Sequence, residues 1–192
     1  RKDGLIRRID VAQVEAMADA EGLEPEMVEA GGRGIRYLRM GPSDDQGAEN
    51  EGGDPLLLLH GFGGDLNNWM FNQPALAEAG VVYALDLLGH GGSSKDVGAG
   101  DVATQTAAVI AFMDALGIQK AHLAGHSMGG AVALDLALNH PGRVASLSLV
   151  CSAGLGPEIN GDYLSGFVNA AKRKDLKPVA QPASPGTALM TW

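Results

Sequence analysis

The sequence contains a single cysteine, Cys151. That excludes an intrachain disulfide and any metal centre built on several thiolates. At the end of an apolar run, Cys151 itself reads as a small buried hydrophobe rather than a reactive thiol. Positive charge is also scarce: 14 Lys and Arg against 23 Asp and Glu leave a net charge of −9. Phosphate backbones and anionic lipid surfaces would be repelled, so neither nucleic acid nor membrane is expected as a partner, and a solvated acidic surface accounts for the excess. No stretch reaches the roughly 18 apolar residues that a membrane helix needs. Residues 1–10 carry charge without the apolar core of a secretion signal, so a cytoplasmic location is expected. Also missing are a phosphate-cradling G-x-x-x-x-G-K-S, a well-placed dinucleotide G-x-G-x-x-G and a cluster of metal ligands, so no bound metal or nucleotide is expected.

What is present is enough apolar chain for one core. With 192 residues and 45% hydrophobic content, a single soluble globular domain is expected. The most informative stretch is Gly125-His126-Ser127-Met128-Gly129-Gly130, which follows an apolar run at residues 121–124 and precedes Ala131, Leu134, Leu136 and Leu138 at helical spacing. A serine between a strand and a helix, flanked by glycines, has the form of a nucleophile elbow. Such a serine must stand on a strained turn with its hydroxyl exposed. Side chains at positions 125 and 129 would then collide with the neighbouring strand and helix.

Residues 1–24 have an amphipathic pattern (Ile9, Val14, Met17, Ala18), consistent with a peripheral helix or linker remnant. A strand is expected at 34–40, then a polar glycine-rich loop at 41–54. The continuous apolar run 55–59 suits a central strand covered on both faces. It leads into His60-Gly61-Phe62-Gly63-Gly64, where backbone N–H groups can point into a cleft as an oxyanion site requires; the alternative is a plain turn. A helix is expected at 68–79 and a buried strand at 81–85. Asp86 reads as the holder of the following Gly-rich turn rather than as a catalytic acid, and His90 as loop architecture. A helix capped by Asp101 runs to Leu116, with Val102, Ala107, Ile110 and Met113 or Asp114 near the boundary of its buried stripe. The elbow helix runs to Asn139 and is stopped by Pro141 and Gly142, and 144–150 is a further apolar strand. Residues 162–174 suit an amphipathic helix with Tyr163, Leu164, Phe167 and Val168 on its apolar side, and 178–192 reads as coil.

The order strand, H-G-F-G-G, strand, D-L-L-G-H-G-G-S, helix, G-H-S-M-G-G, helix, strand resembles the α/β-hydrolase fold over about residues 34–151. The fold class implied is α/β: a mostly parallel sheet with helices on both faces, here without the C-terminal strands. Residues 25–177 would form a partial domain with a cap region starting near 152, and the sequence reads as a shortened or frame-altered version of a longer enzyme. More narrowly, His60-Gly61-Phe62-Gly63-Gly64-Asp65-Leu66-Asn67-Asn68-Trp69 and the segment 152–163 are similar to the hydrolase-fold domain of the dihydrolipoyllysine-residue acetyltransferase component of acetoin dehydrogenase complexes. The resemblance implies Ser127 as nucleophile and the backbone N–H groups of Phe62 and Met128 as the oxyanion hole. Gly61, Gly63 and His126 would line the substrate. A lipoyl group as acyl carrier and coenzyme A would be substrates rather than bound cofactors, with a small acyl group transferred.

In this fold the acid and the histidine follow the nucleophile. The only histidine after Ser127 is His140, expected at the far end of the elbow helix. His126 is expected to hydrogen-bond structurally rather than act as base, and His60 and His122 are expected to be structural, so no complete triad assembles. Three readings stay open: an acyl-transfer component of a multienzyme complex, a generic ester hydrolase, and a non-catalytic scaffold. An uncovered edge on strand 144–150 would favour assembly with other chains or with a second copy.

Overall fold

A computed structural model describes residues 24–42, 53–156 and 161–169. All but the last residue of the helix expected at 1–24, most of the loop at 41–54, the end of the helix at 162–174 and the coil at 178–192 lie outside these residues. The chain divides into two compact units between Leu155 and Gly156.

The first unit holds six strands: β1 (Glu26–Ala30), β2 (Arg33–Met40), β3 (Leu56–Leu59), β4 (Val82–Leu85), β5 (Ala121–His126) and β6 (Val144–Val150). They form one sheet in the order β1-β2-β4-β3-β5-β6. β1 and β2 are antiparallel to their neighbours, while β4, β3, β5 and β6 run parallel. Its helices are α1 (Gln73–Ala77), α2 (Val102–Ala115) and α3 (Met128–Asn139), with 3-10 turns at Leu66–Trp69 and Pro141–Arg143. The second unit contains α4 (Gly161–Asn169).

Alternation along the strands builds two cores. Leu57, Leu59, Leu85 and Leu123 face α2 and α3, where they meet Val109, Phe112, Val132 and Leu136. Leu58, Val82 and Ala84 face the opposite way and are covered by Leu66 and Trp69 of the first 3-10 turn and by Ala77 of α1. The leucines of β3 therefore serve a strand buried on both faces, as the unbroken apolar run implies.

The structure corrects the sequence reading at several points. Residues 68–79 do not form one helix: a 3-10 turn ends at Trp69 and α1 begins at Gln73, because Pro74 has no N–H to donate and its ring would clash with the carbonyl four residues back. On α2 the buried stripe falls on Gln105, Thr106, Ala108, Val109, Phe112 and Met113, leaving Val102 and Ala107 exposed. On α3 it falls on Gly129, Gly130, Val132, Ala133 and Leu136, and Leu138 is 71% exposed. Cys151 is exposed at φ 46°, one residue past the end of β6, where the sheet no longer covers it. β1 was not expected. Its signal was Gly31-Gly32, a two-residue link with φ of 58° and 78° that suits a tight hairpin turn.

Candidate active site

The chain leaves β3 toward one face of the sheet and leaves β5 toward the other, yet the two strands are neighbours, with Leu59 opposite Gly125. Where exits diverge in this way, a crevice opens beyond the C-terminal strand ends. Ser127 and the 60–64 loop meet there.

Ser127 adopts φ 52° and ψ −114°, a conformation costly for any residue with a Cβ. Its surroundings hold it in place: its N–H donates to Val150 O (3.1 Å), and its carbonyl accepts from Gly130, Ala131 and Ala153 (3.0 to 3.2 Å). The hydroxyl bonds to no described residue and does not cap α3. The elbow closes only because its glycines are bare. A Cβ at Gly125 would strike the Gly129 carbonyl, and one at Gly129 would strike the Leu59 and His60 carbonyls. Met128 opens α3, so its N–H has no acceptor within the helix, and it has none elsewhere among the described residues.

The loop after β3 lies directly against the elbow. A Cβ built on Gly61 would sit 3.1 Å from Ser127 Cβ and 2.9 Å from His126 Nδ1. Gly63 is at φ 73°, and the turn closes through Gly64 N–H to Gly61 O at 3.0 Å. The Phe62 ring meets the edge of His90 at a centroid distance of 5.9 Å. Structure thus brings Gly61, His126 and Ser127 together, with Phe62, Gly63 and Met128 on the adjoining turns.

All five histidines of the chain are described, and none is hydrogen-bonded to Ser127. His60 is fully buried, with one ring nitrogen 2.8 Å from Gly61 O and the other accepting from Leu87 N–H at 3.0 Å; burial holds its pKa below the ordinary 6.5. His126, at the end of β5, is half-buried, and burial lowers its pKa as well. His90 Nδ1 is bound to Leu88 O, His122 pairs with Ser146 Oγ on the sheet, and His140 caps the far end of α3.

Asp86 is fully buried and accepts from the backbone of Leu66 (2.7 Å) and Gly92 (2.7 Å) and from Arg36 Nη1 (3.3 Å). It therefore ties the loop after β3 to the loop after β4. Two further supports were missed in the sequence. Gln105 of α2 both donates to and accepts from the Leu88 backbone at 3.0 Å, and Ser93 accepts from Arg36 N–H while donating to Asp86 O. A buried Gln on an otherwise apolar stripe was the available signal for the first. Among the described residues, no group of three or more His, Cys, Asp or Glu is placed to hold a metal ion, and no helix is long and apolar enough to cross a membrane.

The sequence profile described as the alpha/beta hydrolase fold matches residues 54–191. The dihydrolipoyllysine-residue acetyltransferase component of the acetoin cleaving system of Pseudomonas putida is 52% identical over 191 residues, 98% of this chain and 50% of that protein. The protein of the same name from Cupriavidus necator is 43% identical over 176 residues, covering 89% of this chain and 45% of that protein. Among solved structures, a membrane phospholipase A described as a bacterial virulence factor superposes with a TM-score of 0.70 at 33% identity, over 92% of this chain and 60% of that one. The chain spans about half the length of the curated relatives it matches. By the profile match, and by an elbow serine set between a parallel strand and its helix, the chain belongs to the α/β-hydrolase fold family.

Proposed function

We infer that Ser127 is the nucleophile of an acyl-transfer protein that works as the acetyltransferase component of an acetoin-cleaving assembly. The observation that carries this reading is the Ser127 hydroxyl on a positive-φ turn, next to the Met128 N–H, both without a partner among the described residues, and against the Gly61–Phe62 loop. The names of the two bacterial relatives supply the substrate class. Oγ attacks the acyl carbonyl carbon and loses its proton. The carbonyl oxygen, now anionic, is held by the N–H groups of Met128 and Phe62, and the leaving group departs with a proton. A thiol of a dihydrolipoyl arm, or coenzyme A, then takes the small acyl group from the serine, while water at the same step gives ester hydrolysis. Gly61, Gly63 and His126 line the acyl group. A cytoplasmic setting belongs to the same proposal.

The proton of Oγ needs an acceptor. In this structure none of the five histidines is bonded to it, so the chain by itself should acylate slowly. That observation favours a second reading, a scaffold that retains the fold for assembly through the outer edge of β6, which pairs with no other described strand. A fluorophosphonate probe separates the two. Covalent capture at Ser127 of the folded chain, abolished in Ser127→Ala, supports the nucleophile. Absence of capture, or capture that persists in the variant, defeats it. Ser146→Ala serves as the control, because the Ser146 hydroxyl is bonded to an imidazole, at 2.7 Å from His122, yet stands on no elbow.

A further inference from the structure

Both ring nitrogens of His60 face backbone groups that dictate where its proton sits. Leu87 N–H can only donate, so Nε2, 3.0 Å away, must be the unprotonated acceptor. Gly61 O can only accept, so Nδ1, 2.8 Å away, must carry the hydrogen. The ring is fully buried, and a second proton would set N–H against N–H at Leu87; the carboxylates of Asp86 and Asp65 and the ring of His90 are the titratable groups facing it. A neutral Nδ1–H imidazole therefore grips the Gly61 carbonyl from one side, and Gly64 N–H grips it at 3.0 Å as well.

That carbonyl belongs to the same peptide unit as the N–H of Phe62. A trans peptide is planar, with C=O and N–H pointing in opposite directions. The two bonds that fix the Gly61 carbonyl thus fix the direction of the Phe62 amide. We propose that His60 is a positioning residue that aims the Phe62 N–H at the oxygen of the reacting carbonyl, transmitting its hold through the Gly61–Phe62 peptide plane. This rests on the reading of Ser127 as nucleophile. T-shaped contacts of the His90 ring with His60 (centroids 5.1 Å apart) and with Phe62 (5.9 Å) hold the parts of the device side by side. Leu87 anchors the imidazole to the exit of the adjacent strand β4, so the aim is referenced to the sheet rather than to the loop alone.

Two variants separate aiming from mere packing. His60→Asn keeps an N–H donor near the Nδ1 position, while His60→Leu matches its size and keeps none; both orphan Leu87 N–H, so both should lose thermal stability. Fluorophosphonate capture at Ser127 should stay within about fivefold of the unmodified chain in His60→Asn and fall about 10²-fold in His60→Leu, the scale of losing one oxyanion donor. Equal losses in both variants would overturn the proposal. If His60→Leu does not fold, nitrogen NMR on the unmodified chain, with the His60 ring assigned through its loss in His60→Asn, decides: His60 is expected neutral and protonated at Nδ1 from pH 6 to 8, and an Nε2–H tautomer or a titration of that ring in this range refutes the aiming. Failure of the unmodified chain to be captured at all would instead count against Ser127 as nucleophile. The Phe62 amide resonance then reads the aim directly, displaced in His60→Leu and retained in His60→Asn if the proposal holds, and displaced equally in both if it does not.

Discussion

At Ser127 the demands of stability and of reactivity conflict. A residue with a Cβ at φ 52° is strained, and the strain is retained because backbone hydrogen bonds and the close glycines leave the chain no other path. Glycine would relieve that strain at some cost in unfolded-state entropy. Ser127→Gly is therefore expected to raise the unfolding free energy by about 1 kcal/mol while abolishing probe capture, as read by urea titration and mass spectrometry. A destabilised variant would mean that the hydroxyl has a structural partner. Ser127 and its glycines were legible in the sequence because a sharp strand-to-helix turn demands that spacing. The roles of His60 and Gln105 were not, since each works through a backbone group brought near by other strands and helices.

Among the elements, β6 differs from the other parallel strands. Its inner edge pairs with β5, but its outer edge has no partner among the described residues; on one face of the strand Ser146, Ser148 and Val150 are exposed. An uncovered edge without lysine or proline invites pairing with another chain. Ser148→Lys is expected to reduce concentration-dependent self-association, measured by sedimentation velocity, with the unfolding midpoint nearly unchanged. Association that is indifferent to the lysine would place the contact elsewhere. Strands and helices with a strong period were read to within a residue or two from the sequence, as with β6 and the Asp101-capped α2. The split at Pro74 was misread and the hairpin at Gly31-Gly32 was not anticipated, although both carried local signals.

At the scale of the whole molecule, buried titratable groups make stability depend on pH at both ends of the range. Burial lowers His60 and His126 below their ordinary 6.5 in the folded chain, so the unfolded chain binds more protons in mildly acidic solution. Their contribution is complete above pH 6.5 and is lost as the pH falls below it toward the lowered folded values. On the alkaline side Tyr37 is raised from 10.0 to about 12, by burial first and then by its hydrogen bond to Glu26. Its contribution is complete below pH 10 and is lost as the pH rises from 10 to 12. Urea midpoints are expected to decline from pH 7 to 5 and again above pH 10, with the acid decline flattened in His60→Asn. A midpoint constant down to pH 5 would show that neither imidazole is held neutral.

Local order alone determined the alternation of strand and helix, the elbow, its glycines and the cap of α2, because each rests on spacing within a few residues of the chain. Which backbone groups face Ser127, which imidazole is held neutral and which strand lies at the edge were decided only when β3 and β5 came to lie side by side with their exits diverging. Those are relations between segments distant in the chain, Leu59 against Gly125 among them, and no local periodicity encodes them.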